Sequence, residues 1–229
     1  MKAVNRDRFW PLRIEARPMA ERHWVASATV FPDFGLTADE RRFAVRGTYY
    51  EYPGMDGQRG EIWCYTDRFP YRAGDRVELK VSAKAARFSL DITRDGADEL
   101  TVLEKTGLAA RWQETPDQCS VEGCGWETTF AFSIGDDWPS GAYRVTLTAD
   151  GRDGKPIRCH HLFIVAPSPG PQPGRILQVA ATGTWLAYNT WGGSNAYEGI
   201  TGPGRDQFAR MVSTQRPWCR GVRVLPPGA

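Results

Sequence analysis

The octapeptide Arg76-Val77-Glu78-Leu79-Lys80-Val81-Ser82-Ala83 alternates strictly, with Val77, Leu79 and Val81 on one face and Arg76, Glu78 and Lys80 on the other. A period of two marks a strand with one face on a core and one in water, as in antiparallel sheets. The pattern recurs on both sides. Phe88, Leu90 and Ile92 alternate in the stretch that runs to Asp95-Gly96, a strong turn dipeptide. Residues 61–66 (EIWCYT) are a strand candidate upstream. Residues 128–134 (TTFAFSI), 142–150 (AYRVTLTAD, with Tyr143, Val145 and Leu147 on one face) and 157–165 (IRCHHLFIV) follow downstream. Turn clusters rich in Gly, Asp and Pro separate them at 69–76, 135–141 and 151–156. Short alternating strands punctuated in this way predict a mainly β chain, with an immunoglobulin-like β-sandwich over residues 60–165. The rhythm breaks at 97–127, where a longer insertion is expected.

After the last strand, residues 166–174 (APSPGPQPG) hold four Pro and two Gly in nine positions. Proline that dense removes amide donors and disfavours helix, so 166–175 is expected to be a stiff linker. Residues 176–181 (ILQVAA) then form an apolar run without alternation, the mark of a strand buried on both faces of a parallel sheet. A Gly-rich loop and a short helix candidate at 204–213 follow. Residues 176–229 are therefore expected to be the first part of an α/β domain. Parallel sheets are built from βα units of about 30 residues or more, so this domain is expected to be incomplete, its remainder supplied by a second polypeptide or missing from a truncated or split product. Upstream, 1–59 reads as an extension. It offers a strand candidate at 42–52, a Gly-rich loop at 51–60, and Thr37 with Glu40 three positions on as a capping box.

Composition excludes several classes. The 229 residues carry 29 Lys and Arg against 27 Asp and Glu, and 29 − 27 leaves +2. A nucleic-acid or anionic-membrane binder shows basic residues in excess and in blocks, so neither partner is expected. No apolar run reaches the roughly 18–20 residues of a membrane span, and the first 18 residues contain no apolar signal segment. Five Cys is an odd number and too sparse for a disulfide-stapled secreted domain, so a cytoplasmic protein with mostly reduced thiols is expected.

The densest chemistry lies at 184–197 (TWLAYNTWGGSNAY). Two glycines permit close backbone approach, and Tyr, Asn, Ser and Trp supply hydroxyl, amide and stacking groups. A loop just past a first parallel strand is where open α/β sheets gather ligands. The alternative is an aromatic structural loop packed against the sandwich, with Tyr188 a buried core phenol. Other clusters are weaker. Successive side chains of a strand alternate faces, so His160 and His161 point oppositely and at most Cys159 and His161 share a side. Cys119 and Cys124 have zinc-like spacing, but a second ligand pair is missing unless Cys64 or Cys159 joins them. A local disulfide or free thiols is the other reading. No Gly-x-Ser-x-Gly elbow surrounds Ser194, and no nucleotide fingerprint is present.

The 184–197 motif resembles the opening of the catalytic domain of the N,N-dimethylformamidase large (beta) subunit family. Residues 64–96, 123–151 and the Ser213-Thr214-Gln215-Arg216-Pro217 element are similar to further segments of that family, in the same order. The resemblance implies an amidohydrolase acting on a small amide substrate, with a mononuclear iron held by two tyrosines and a glutamate. It carries Tyr188 over as an iron ligand and makes Tyr188 and Asn189 the expected catalytic residues. Trp185, Trp191, Gly192, Gly193, Ser194 and Tyr197 are expected to contact substrate. Phenolate and carboxylate are hard oxygen donors suited to ferric iron, but Tyr197 and Glu198 match the remaining ligands poorly in spacing, so the partner polypeptide is expected to supply them. A non-catalytic β-sandwich binding subunit is the alternative.

Overall fold

The computed structural model describes residues 60–96, 98–152, 154–170, 178–197 and 211–219 in full, and the backbone of two N-terminal strands. Those strands, β1 (Leu12–Ala16) and β2 (Trp24–Ala28), pair antiparallel as a separate ribbon. The expectations for residues 37–52, for the loop at 51–59 and for the helix over 204–210 fall outside the described residues.

Eight further strands build the sandwich. They are β3 (Ile62–Thr66), β4 (Pro70–Tyr71), β5 (Arg76–Ala83), β6 (Arg87–Arg94), β7 (Leu100–Ala109), β8 (Thr128–Ser133), β9 (Gly141–Asp150) and β10 (Pro156–Val165). One sheet runs β4-β10-β9-β6-β7, the other β3-β5-β8. All pairings are antiparallel except that of β4 with β10. The alternating residues face inward as the period requires. Val77, Leu79 and Val81 of one sheet meet Phe88, Leu90, Ile92, Tyr143, Val145 and Leu147 of the other in one buried core. The chain is thus a mainly β sandwich, as the alternation predicts.

The 97–127 region is not a structureless insertion. It opens with β7, which completes a hairpin with β6 across the expected Asp95-Gly96 turn. β7 is the outer strand of its sheet and is exposed along most of its length. It contributes only the partly buried Val102, Leu103 and Leu108 to the core, and a strand with no fully buried residue is not required to write the alternating apolar code. The rest of the region is a coil and one short turn of helix, α1 (Cys119–Glu122).

Two differences concern the segment after the Pro-rich stretch. Ile176 and Leu177 lie outside the described residues, while residues 178–181 form no strand, and Val179 is 82% exposed. The first regular element there is a helix, α2 (Thr182–Ala187). Among the described residues no helix is long and apolar enough to cross a membrane.

His161 follows Cys159 on the inward face of β10, as alternation predicts, whereas His160 lies on the other side, half-buried. The Nε2 of His161 lies 2.8 Å from Thr66 Oγ1 and 3.3 Å from Thr66 N, while its Nδ1 is buried without a partner. Burial pushes the imidazole down to about 3 from its usual 6.5, because a second N–H would be charged and unpaired in the core. The unfolded chain takes up that proton as pH falls through about 6.5, and the folded chain does so only near 3. The neutral imidazole's stability is therefore full above pH 6.5 and is lost between these values, at about 1.4 kcal/mol per pH unit. Urea midpoints from pH 7 to 4 should fall less steeply in His161→Gln than in the parent, by one proton's worth. Equal slopes would show that His161 is not the group that titrates.

Candidate functional site

β3 is buried on both sides. Ile62 and Cys64 join the core between the sheets. Trp63 and Tyr65 point the other way, into a second cluster formed with Cys119, Cys124, Trp126, Trp191 and Cys219. Trp191 sits at its centre, fully buried, with its ring 5.8 Å from Trp63 and 6.0 Å from Trp126, edge to face in both cases. Such geometry sets the positive ring edge against a negative face. The 184–197 motif is therefore anchored on the outer surface of the smaller sheet.

Its backbone explains how. Gly192 and Gly193 have φ values of 82° and 98°, a region that L side chains rarely adopt. At Gly192 there is also no room, since a Cβ would lie 2.6 Å from Cys119 Sγ. Gly193 N donates to Thr190 O, and Ala196 N donates to Ala187 O, which closes the loop on itself. Ser194 Oγ lies 2.6 Å from Ser120 Oγ in the α1 turn.

Asn189 ties this loop to residues 211–219. Its Oδ1 accepts from Cys219 N at 3.0 Å and from Trp191 N at 3.3 Å, and its Nδ2 donates to Pro217 O at 2.8 Å. Arg216 ties it a second time. The guanidinium is 1% exposed, and Nη1 donates to Trp191 O and to Ser194 O (2.8 Å), while Nε donates to Ser213 O at 3.2 Å. The same segment pairs with the α1 turn, through Ser213 N to Ser120 O at 2.9 Å and Cys124 N to Gln215 O at 2.8 Å. Desolvation pushes Arg216 down to about 10. Nη2 has no partner, and none of the ion pairs among the described residues involves Arg216. Cys124 hydrogen-bonds to Cys119 and, with the Arg216 charge behind it, draws the Cys119 thiol below its usual range. Burial raises Cys124 instead.

The expected site residues thus divide. Asn189, Trp191, Gly192, Gly193 and Ser194 are interior, and Asn189 has its carbonyl and one amide hydrogen engaged by backbone. Tyr188 and Tyr197 are 51% and 59% exposed, so Tyr188 is not a core phenol. Loop closure brings them together, with ring centroids 4.7 Å apart, stacked at 30°. Tyr197 is oriented by its own backbone N–H, which donates to Asn195 Oδ1 at 2.7 Å. A hydrogen bond with Tyr197 holds the Tyr188 phenol above its usual range. Trp185, half-buried on α2, lies one turn earlier in sequence.

Sequence reasoning missed Trp63, Tyr65, Trp126 and Arg216. The signal for the first two was present, because Ile62–Thr66 holds no charged residue and so is written for burial on both faces. All five cysteines are free, and among the described residues no group of three His, Cys, Asp or Glu side chains is arranged to hold a metal. The β3 strand separates Cys64 and Cys159 from Cys119 and Cys124.

A family model described as N,N-dimethylformamidase beta subunit-like, C-terminal matches residues 90–226, more than half of the chain. The match starts inside β6 and covers the sandwich strands from there to β10, the tyrosine loop and the Arg216 segment, leaving β3, β4 and β5 outside it. No curated protein sequence matches. Among solved structures, the sporulation control protein Spo0M of Bacillus subtilis is 15% identical with a TM-score of 0.35, over 48% of this chain and 50% of that one. The chain thus spans half the Spo0M length. A superoxide reductase (neelaredoxin) of Ignicoccus hospitalis is 9% identical with a TM-score of 0.31, over 51% of this chain and 95% of that one. Murine CRIg is 9% identical with a TM-score of 0.31, over 46% and 97%.

Proposed function

Because the chain belongs to the N,N-dimethylformamidase beta subunit-like family, we propose that it is a component of an iron-dependent amidohydrolase that cleaves the C–N bond of a small formamide-like substrate. The observation that carries this reading is the exposed, stacked pair of Tyr188 and Tyr197 on a loop whose other half is locked into the protein. Two phenols side by side are a donor pair for a hard cation, and their exposure leaves that cation open to further ligands and to substrate.

The residues present fit iron as part of its ligand set. Tyr188 would hold it, with Tyr197 adjacent, and a second polypeptide would add the remaining donors. Bound there, the metal would supply Lewis acidity toward an amide carbonyl. This chain's residues prepare the place. Asn189 and Arg216 fix the loop, the paired glycines turn it, and Trp191 plugs it into the sandwich. Trp185 and the tyrosine rings offer a planar apolar surface to a dialkylformamide.

A phenol must lose its proton to bind metal, and Tyr188 holds its proton more tightly than a free tyrosine. Ferric affinity should therefore rise with pH. Tyr188→Phe should lower iron content at least about tenfold and remove the visible tyrosinate-to-iron absorption, with far-UV circular dichroism unchanged. Unaltered iron content and absorption in Tyr188→Phe would end the iron-ligand role. The protein would then be read as a β-sandwich interaction module.

A further inference from the structure

Cys64 and Cys159 stand apart from the tyrosine loop. Cys64 belongs to β3 in the smaller sheet and Cys159 to β10 in the larger one, 95 residues later, and their Sγ atoms lie 3.3 Å apart. That is inside the contact distance of two unbonded sulfurs. The approach is in register. Two residues further along both strands, Thr66 meets His161 through the hydrogen bond at 2.8 Å, so the thiols occupy one rung of a two-rung tie between the sheets. Both sulfurs are buried in the sandwich core. Their register neighbours within the two sheets are Val81 and Leu147, which offer no anion or cation to stabilise a thiolate, and burial raises the Cys64 thiol.

We propose that Cys64 and Cys159 are a disulfide-forming pair, a covalent tie between the two sheets that closes when the chain folds in the presence of a small-molecule disulfide oxidant. One cysteine thiolate attacks the oxidant's S–S bond, forming a mixed disulfide and releasing one thiol. The other cysteine thiolate then attacks the protein-side sulfur and releases the second thiol. Two S–H bonds are lost and one S–S bond forms, while the oxidant is reduced to two thiols, which take up both protons. The folded core shields both sulfurs, so the bond forms before the sheets close, and thereafter it is slow to reduce. Joining residues 95 apart restricts the unfolded chain strongly, and the bond would fasten β3, which pairs with one strand only.

The test refolds the full chain from denaturant with oxidised and reduced glutathione, blocks remaining thiols with N-ethylmaleimide under denaturing conditions, and maps peptides by mass spectrometry. The expected result is three blocked cysteines (Cys119, Cys124 and Cys219), a Cys64–Cys159 cross-linked peptide, and a urea midpoint higher than that of the reduced protein. A Cys119→Ser, Cys124→Ser, Cys219→Ser triple variant should keep the cross-link. Five blocked cysteines in refolded protein, or a cross-link confined to Cys119, Cys124 or Cys219, would overturn the proposal.

Discussion

Arg216→Met is expected to destabilise the protein by on the order of 3–5 kcal/mol. The guanidinium supplies the donors for three carbonyls, those of Ser213, Trp191 and Ser194. Each buried acceptor left without a donor costs about 1–3 kcal/mol. Relief of the arginine's own desolvation offsets part of that sum, because no carboxylate faces it among the described residues. Arg216→Lys should recover little. A single ammonium cannot span carbonyls that a rigid fork reaches from two sides. Urea denaturation reads the effect as a lower midpoint with an unchanged slope. A loss below about 1 kcal/mol in Arg216→Met would mean that the loop is held without it.

Trp191→Ala is expected to cost about 3–5 kcal/mol, the range for emptying a large aromatic from a core. The ring contacts Trp63 and Trp126 edge to face and is fully buried. Its Nε1 has no acceptor, so nothing polar is lost when the indole goes. Trp191→Phe should therefore be milder, because the cavity it leaves is smaller. It keeps an aromatic edge and removes an unpaired buried N–H. Tyr188 and Tyr197 should lose their stacking in the alanine variant, because the loop that carries them loses its anchor. Tyrosine fluorescence quenching and thermal unfolding read the two effects together. Equal stability of the alanine and phenylalanine variants would show that the cluster does not depend on Trp191.

Legibility in the sequence followed burial. β5, β6 and β9 each bury one face and leave the other half-covered, and their alternation was readable residue by residue, whereas β10 carries Leu162 and Ile164 on its half-buried face and so blurs the code. β7 buries no residue fully, only packing Val102, Leu103 and Leu108 partly on the core, and left no alternating code. The candidate site was half legible. Its composition marked the 184–197 loop, and the family resemblance picked out Tyr188. That Asn189 and Trp191 are fasteners was not readable, because their partners lie far along the chain. Trp191 packs on Trp63, and Asn189 is satisfied by Pro217 and Cys219. Single-sequence periodicity reports the face of an element and not which distant residue covers it. The pairing of Tyr188 with Tyr197 depends on loop closure at Ala187 and Ala196, which no side-chain pattern encodes.

The covering of β3 by Trp191 and the Arg216 segment also sets an order of events during synthesis. The last sandwich strand ends at Val165, and the cover is complete only at Cys219, 54 residues later (219 − 165). At typical elongation rates that interval lasts roughly 3–10 s. Throughout it the eight strands can assemble while Trp63, Tyr65 and Trp126 face water as an aromatic patch on a nascent chain. A sandwich left open in this way offers holdase chaperones an aromatic target, and its closure waits for the Arg216 segment even though every sandwich strand has already formed.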